Sequence, residues 1–369
     1  MPVGYAVAPP PSANHLRESV VKLRMEDPQW GDWATTIGAW AKAQDFSAGG
    51  DPERAAQFAH QLVDLDLLTL PFPGAGRTAD RFGALIALGV ADCVLARLAE
   101  GHADALAILA ELQGPDPGEG RLWGVWAAQP PGGAGLEARR HGDSWWVEGD
   151  KPYCSGAAAC DSALVTANTS SGNQLLAVDL HQEGVQALDG TWPALGMAGS
   201  DSRTVRFRHS AGTAVGVPGA YVDRPGFWHG ATGVAACWMG GAVGVAWALT
   251  RAAARRELDP HALAHLGAID GAIAAMRSVV QEAARDIDRD PEDRQGRAAL
   301  VARRTRTVVE WGTGLVLARV GRALGAGPLT QDAEHSRRVA DLTVYLRQSH
   351  AERDLLDHGK RLLEIGVDW

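Results

Sequence analysis

The chain has 369 residues, of which 46% are hydrophobic and 21% are charged, proportions that exclude a disordered or collagen-like protein. Acidic residues outnumber basic ones by 44 to 35, and the net charge of −9 argues against a general nucleic-acid-binding protein, which needs a basic face. A chain of this length is expected to form about two or three folding units.

The first segment, residues 1–118, is predicted to form an N-terminal helical domain. Helical patterning begins at Asn14 and includes Arg54–Leu68, Arg81–Leu98 and Asp104–Leu112, where apolar residues recur at helical spacing. Gln113–Gly120 is rich in Gly, Pro and Asp, a composition typical of a loop, and it marks the expected end of this domain.

The second segment, residues 119–222, is predicted to be a β domain. Short runs of strand-forming residues alternate with clusters of turn-forming residues, and no helical pattern separates them. Many short strands in succession favour an antiparallel barrel or sandwich. The predicted strands are Leu122–Ala128, Ser144–Glu148, Ala163–Ala167, Leu175–Leu180 and Arg203–Arg208.

The third segment, residues 223–369, returns to a helical pattern. Long helices joined by short breaks are typical of an antiparallel bundle, so the sequence predicts a C-terminal four-helix bundle. The predicted helices are Phe227–Arg256, Pro260–Ile287, Pro291–Leu324 and Ala333–Ile365.

One part of the first bundle helix imitates a membrane span. Gly230–Thr250 contains no charged residue, but it has five glycines and continues into Arg251, so a buried central helix is the better interpretation. The N-terminus lacks a basic stretch followed by an apolar run, and the four cysteines are scattered. These features predict a cytoplasmic protein without a secretory signal, a zinc site or a disulfide framework.

Four segments, in the same order along the chain, resemble motifs of the acyl-CoA dehydrogenase superfamily of flavoproteins. Ser144–Ala167 resembles the family's "NG-K-x-x-x-[ST]-[NG]-[GA]" segment, and Leu195–Phe207, "LGMAGSDSRTVRF", is similar to "LGMRGTDS-x-x-V-x-F". Gly240–Leu249 resembles the first bundle helix, and Leu324–Thr330 resembles the "FGGxG" turn. The resemblance implies a helical domain, a β-barrel and a four-helix bundle, with FAD as the cofactor.

The resemblance also implies which residues of the β domain contact the flavin. Tyr153 takes the place of the aromatic residue that lies against the flavin, and Ser155 takes the place of the hydroxyl that hydrogen-bonds it. The segment Trp126–Gly135, "WAAQPPGGAG", resembles the family's flavin loop without its Thr and Glu side chains. Backbone groups need no particular side chain, so Ala127 and Ala128 remain candidate flavin contacts.

Two further cofactor contacts are implied in the bundle. The family places an Arg at the end of the first bundle helix, where it reaches the FAD pyrophosphate of a neighbouring subunit, and Arg255 matches that position. A guanidinium fork suits a pyrophosphate. Gly325 lies in the turn that resembles "FGGxG" and is also predicted to contact FAD. Because the family completes its FAD site across subunits, a homodimer or homotetramer is implied.

The catalytic position departs from the family pattern. Dehydrogenases of this family use a Glu between the last two helices as the base, and the matching position here is Arg347 or Ser349. Arginine stays protonated and cannot act as a base. His350 and Glu352 are the nearest groups able to exchange a proton, and Asp341 followed by His350 resembles the tail of related flavin monooxygenases.

Three functions therefore remain open. The first is an FAD-dependent oxidoreductase that desaturates an acyl thioester, carried on CoA or a carrier protein, or oxidises a related small molecule. The second is a flavin-dependent monooxygenase of the same fold, which needs no base at the Glu position. The third is a degenerate relative that serves as a binding or structural subunit. The electron acceptor is not indicated by the sequence.

Overall fold

The structure is a computed structural model that describes residues 30–47, 49–129, 135–142 and 144–366. Within these ranges the chain runs from helices through strands to a second group of helices, which confirms the predicted order. The start of the predicted helical segment at Asn14, residues 130–134 of the predicted flavin loop and residues 367–369 lie outside the described residues. The domain boundaries at 118/119 and 222/223 stay predictions.

The N-terminal helices differ from the predicted ones mainly at Asp92. The predicted helix Arg81–Leu98 is wrong there, because the backbone of Asp92 is extended and its carboxylate accepts hydrogen bonds from the backbone N–H groups of Val94 and Leu95. Asp92 therefore begins a new helix. The helices are α1 (Gly31–Lys42), α2 (Pro52–Asp64), α3 (Thr78–Ala91) and α4 (Cys93–Glu111).

Seven strands form one sheet that closes on itself. The order is β1-β4-β2-β3-β7-β5, with β4 also pairing with β5 and β6 added beside β7. The prediction of an antiparallel unit holds for most pairs and is wrong for β1–β4 and β2–β4, which run parallel. The strands are β1 (Trp123–Trp126), β2 (Glu137–His141), β3 (Ser144–Lys151), β4 (Ser162–Thr169), β5 (Gly172–Asp179), β6 (Val185–Ala187) and β7 (Val205–Val215).

The C-terminal helices do not form four uninterrupted rods. The predicted helix Ala333–Ile365 is wrong between Leu346 and Ala351, where the chain makes a short 3-10 turn and Ala351 adopts a positive φ of 47°. The Ser349 hydroxyl in this break donates a hydrogen bond to Glu310. The helices are α5 (Ala220–Asp223), α6 (Pro225–Arg255), α7 (Pro260–Arg289), α8 (Ala298–Leu324), α9 (Gly327–Gln331), α10 (Ala333–Tyr345) and α11 (Glu352–Ile365).

Two of these helices are long and apolar enough to cross a membrane by length and composition alone. In α6, 89% of the apolar window is buried inside the protein, so this helix has the environment of a core helix. Gly89 of α3 and Gly240 of α6 let the two backbones approach closely, since a Cβ on either would collide with the other helix. In α7 only 17% of the window is buried, although Ile269, Met276 and Val280 of this helix pack in the core.

Arg337 of α10 connects the N-terminal helices, the loop before β7 and the C-terminal helices. Its guanidinium forms ion pairs of 2.7 Å with the buried carboxylates of Asp92 and Asp341, and it donates a hydrogen bond to the carbonyl of Phe46. Asp341 in turn accepts a hydrogen bond of 2.6 Å from the backbone N–H of Met197, in the loop before β7. Burial raises the pKa of Asp341 to about 6 although Arg337 opposes the shift.

We expect the Arg337→Met variant to lose stability, because two buried carboxylates would lose their shared counter-charge. Breaking one side of a buried ion pair typically costs about 3–5 kcal/mol. Without Arg337 the pKa of Asp341 rises further, so the variant takes up its proton at a higher pH than the wild type. The stability gap should therefore be largest near pH 8 and narrow toward pH 5.

Urea unfolding at both pH values measures this gap. The control is Arg361→Met, which removes an exposed ion pair with Glu364 and should change stability by less than about 1 kcal/mol. An equal loss in the two variants would show that the Arg337 pairs do not stabilise the fold.

Candidate functional site

Two loops face each other at the end of β3 and immediately before β7. Three backbone hydrogen bonds join the segment 153–158 to the segment 200–203, so neither loop moves without the other. The Asp201 carboxylate adds a bond from the backbone N–H of Ala158. The three backbone bonds run from Cys154 to Arg203 (3.0 Å), from Gly156 to Ser200 (2.7 Å) and from Ala157 to Asp201 (3.1 Å).

Both loops hold non-glycine residues in the left-handed region of backbone conformation. Tyr153, Met197 and Asp201 have φ values of 60°, 59° and 44°. Such conformations are unfavourable for L side chains and persist only where the surroundings fix them, often at binding sites. The consequence at Tyr153 is that a large aromatic side chain stays 57% exposed, available to a flat ligand.

The Ser155 hydroxyl is buried between the two loops. It lies 2.8 Å from the hydroxyl of Ser202, which lies 2.8 Å from the hydroxyl of Ser200. Ser200 donates to the carbonyl of Met197 at 2.7 Å. The indole N–H of the fully buried Trp126 donates to the carbonyl of Ser155 at 3.0 Å. Ser155 is therefore held from both sides, by β1 and by the loop before β7.

The backbone beyond β1 forms a second part of this surface. Strand β1 pairs with β4 alone within the described sheet, so its other edge carries no strand. Ala127 is half-buried and Ala128 is exposed just past the strand end. Part of this edge is already used, since the N–H of Trp123 donates to His102. The backbone just past the strand end offers N–H and C=O groups of the kind that complement the C2=O, N3–H and C4=O edge of a flavin.

Lys151 is a buried cation that supports the same region. Its ammonium donates to the backbone carbonyl of Thr166 at 2.8 Å and to the Thr166 hydroxyl at 2.7 Å, and that hydroxyl donates to the carbonyl of Ala127. Burial lowers the pKa of Lys151 to about 8. No carboxylate pairs with this ammonium in the described part of the chain, so Lys151 places positive potential behind the Ala127 backbone.

Arg255 and Gly325 lie at helix ends in the bundle. Arg255 is the last residue of α6, and Gly325 follows the last residue of α8. Both are exposed, and no described hydrogen bond or ion pair joins either of them to Tyr153 or Ser155. Their part in a cofactor site therefore stays a prediction.

His350 and Glu352 lie in and just after the break between α10 and α11. The side chain of His350 is 66% exposed and lies 3.4 Å from the Asp354 carboxylate, which also accepts the His350 backbone N–H. Glu352 is exposed in the first turn of α11. No described contact joins either side chain to Ser155, so their catalytic role stays a prediction.

Sequence reasoning missed a carboxylate at the family's catalytic position. Glu310 of α8 accepts a hydrogen bond from the Ser349 hydroxyl at 2.7 Å and one from Arg347 at 3.2 Å. Its side chain is 17% exposed. The two residues that match the family base therefore share one carboxylate from another helix. The separation of Glu310 from this segment along the chain gave no local signal.

A second acidic group missed from the sequence lies in the interior. Glu100 of α4 is buried and forms an ion pair of 2.6 Å with Arg97, while burial raises the pKa of Glu100 to about 7. The fully buried rings of Trp238 and Tyr345 meet edge to face in the same interior region. A carboxyl group that titrates near neutrality can give or take a proton there.

The described cavities lie elsewhere on the chain. A groove of about 1150 Å³ runs along the ends of several strands past Trp145 and Gln174, and a cleft of about 370 Å³ separates α4 from the start of α6. Neither is lined by Tyr153 or Ser155.

Solved structures provide the comparison with known proteins. Dibenzothiophene monooxygenase TdsC from Paenibacillus sp. A11-2 is 18% identical and matches with a TM-score of 0.73, over 96% of this chain and 98% of that one. Glutaryl-CoA dehydrogenase from Mycobacterium smegmatis, solved with FADH2, is 14% identical with a TM-score of 0.76, over 94% and 96%. KijD3, solved with FMN and a dTDP-sugar, is 17% identical with a TM-score of 0.73, over 98% and 96%.

The sequence alone matches no protein-family model and none of the curated proteins. The likeness is therefore one of three-dimensional structure, and it extends over nearly the full length of both chains in each comparison. The chain thus has the fold of the acyl-CoA dehydrogenase superfamily of flavoproteins.

Proposed function

We propose that this chain is a flavin-dependent oxidoreductase. The observation that carries the proposal is the pair of hydrogen-bonded loops, 153–158 and 200–203. They hold Tyr153, with its exposed ring, and the hydroxyl of Ser155 near the backbone of Ala127. Ring, hydroxyl and backbone edge match the face, the heteroatoms and the pyrimidine edge of an isoalloxazine. Proteins of the same fold have been solved with FMN or FADH2, which supports a flavin here.

In this proposal each residue has a defined task. Tyr153 covers one face of the ring system, Ser155 bonds a ring heteroatom, and the Ala127 and Ala128 backbone binds the pyrimidine edge. Arg255 and Gly325 would meet the pyrophosphate of FAD bound to another copy of the chain. A bound flavin supplies two-electron chemistry, since its oxidised form accepts a hydride and its reduced form reacts with O₂.

The reaction that the chain's own residues support best is oxygenation of a small molecule by a reduced flavin. This chemistry needs no α-proton abstraction, and neither Arg347 nor Ser349 is able to perform it. TdsC and MsuC, which share the fold, are named as monooxygenases. The resemblance to the acyl-CoA dehydrogenase superfamily aligns Ala235 with an Arg that binds the CoA end of the substrate in many members; Ala235 is fully buried and has no charge, which favours a substrate without CoA.

A second candidate reaction is desaturation of an acyl thioester, favoured by Glu310. Its carboxylate lies against Ser349 and Arg347, so α8 could deliver the base that the loop itself lacks. Arg347 donates a hydrogen bond to this carboxylate at 3.2 Å and helps to hold it in place. His350 and Glu352 are the other candidates for this role.

Absorption spectra of the reconstituted protein separate these functions. Bleaching of the flavin bands by acyl-CoA under anaerobic conditions indicates desaturation, and Glu310→Gln should then slow bleaching by at least about a hundredfold. His350→Ala is the matched comparison. O₂ uptake that requires NADH and a reductase, without bleaching by acyl-CoA, indicates oxygenation, and Glu310→Gln should then have little effect. A protein that binds neither FAD nor FMN would be a binding or structural relative.

The identity of the flavin can be tested at Arg255. FAD has a pyrophosphate and FMN does not, so Arg255→Ala should weaken FAD binding by about tenfold, a typical loss for a charge-assisted bond, and leave FMN binding unchanged. The adjacent exposed Arg256→Ala is the control. Titration of each flavin by tryptophan fluorescence measures both affinities. Equal effects on FAD and FMN would remove Arg255 from the pyrophosphate site.

We also propose that the chain works as a homodimer or homotetramer. Leu263 of α7 is 54% exposed, and Trp311 and Leu315, one turn apart on α8, are 64% and 36% exposed. Apolar patches of this kind usually mark an interface. A second copy would cover them and bring its Arg255 to the loop site of the first.

Trp311→Asp should break this assembly, because a charge buried in an apolar interface without a partner is strongly unfavourable. Light scattering after size-exclusion chromatography should show a smaller particle than for the wild type. Val217→Asp places the same charge on an exposed residue of the β unit and should leave the particle size unchanged. A wild-type monomer would overturn the proposal directly.

A further inference from the structure

The three serine hydroxyls between the loops form a hydrogen-bonded chain with a fixed direction. The chain ends on the carbonyl of Met197, which can only accept, so the hydrogen of Ser200 points to it. Ser200 then has only lone pairs left for Ser202, and Ser202 must donate to Ser200. By the same count Ser155 must donate to Ser202.

The consequence is that Ser155 faces its surroundings as an acceptor. Its one hydrogen is used on Ser202, and its carbonyl already accepts the indole N–H of Trp126. Reversing the chain would leave the Ser200 and Met197 oxygens 2.7 Å apart with no hydrogen between them. All three hydroxyls are buried, so water does not easily replace the lost bond.

Flavin changes its hydrogen-bonding character at N5 when it is reduced. In the oxidised ring N5 carries a lone pair and accepts, whereas in the reduced ring N5 carries a hydrogen and donates. N3–H donates, and C2=O and C4=O accept, in both states. A hydroxyl that only accepts therefore matches N5 of the reduced ring and opposes a lone pair on N5 of the oxidised ring.

We propose that the Ser155–Ser202–Ser200 chain makes this site selective for reduced flavin. The inference rests on the proposed function, and it assigns Ser202 and Ser200 as positioning residues that act through Ser155. Such a site would take up a flavin reduced elsewhere and release it after oxidation. Its preference comes from the direction of one hydroxyl rather than from an additional charge.

The test is the Ser202→Ala variant. Removing this hydroxyl frees the hydrogen of Ser155 to turn toward N5, while its lone pairs still accept from N5–H. Oxidised FMN and FAD should therefore bind about five- to tenfold more tightly, the value of one added hydrogen bond, and reduced FMN and FAD should bind as before. Anaerobic fluorescence titrations with oxidised and dithionite-reduced flavin give the four dissociation constants. The midpoint potential of the bound flavin should fall.

Three further variants complete the design. Ser202→Thr keeps the hydroxyl and should restore the wild-type ratio of affinities. Ser155→Ala should also shift the ratio of affinities toward oxidised flavin, but it should do so by weakening the binding of reduced flavin alone. Ser210→Ala removes a buried hydroxyl of β7 that has no hydrogen-bond partner in the structure, and it should change neither affinity.

The outcomes are distinguishable. Equal weakening of both forms in Ser202→Ala would show that Ser202 only supports the loop, and an unchanged ratio in both Ser202→Ala and Ser155→Ala would show that Ser155 does not meet N5. Either result overturns this inference while flavin binding stands. Failure of the wild-type protein to bind any flavin would instead overturn the proposed function. If Ser202→Ala does not fold, Ser155→Ala decides alone.

Discussion

The buried pairing of Arg337 with Asp92 and Asp341 is the interaction on which the candidate site depends. One guanidinium neutralises a carboxylate that begins α4 and another that holds the loop before β7. The backbone N–H of Met197 donates a hydrogen bond to Asp341, and the Met197 carbonyl accepts one from the Ser200 hydroxyl. The ion pair thereby fixes the peptide from which the serine chain takes its direction. The buried charges of the bundle and the two loops of the candidate site form one connected hydrogen-bonded network.

The sequence could predict the elements whose own residues carry the signal. The apolar runs of β4 and β5 are buried on both faces, and the uncharged stretch of α6 became the central helix. Strand β2 was missed because four of its five residues are charged or His and only Ala138 is buried. Its parallel contact with β4 depends on chain crossings, which local patterns do not encode. The break at Asp92 did have a local signal, a capping residue inside an apolar run.

The residues of the candidate site also differ in whether the local sequence carries a signal for them. Tyr153 and Ser155 could be proposed from the sequence because one short motif carries both, and their contact with a flavin stays a prediction. Glu310 was not, since it reaches Ser349 from a different helix. Ser200 and Ser202 stood in the "GSDS" stretch, but their task appears only when donors and acceptors are counted in three dimensions. The proposed contact of Arg255 with a cofactor bound to a second copy has no counterpart within one chain, and single-chain patterns cannot give the position of such a copy.

The identity of a residue does not determine the direction in which its hydroxyl donates a hydrogen bond. A serine can donate or accept, so naming Ser155 as a flavin contact leaves open which redox state it favours. The direction of the Ser155 hydroxyl is set by the carbonyl of Met197, which can only accept a hydrogen bond. That carbonyl is connected to Ser155 through the hydroxyls of Ser200 and Ser202. A substitution of Ser202 or Ser200 changes the direction of the Ser155 hydroxyl without contacting the flavin. Relatives that keep the aromatic residue and the hydroxyl can therefore differ in redox preference through residues that never contact the cofactor.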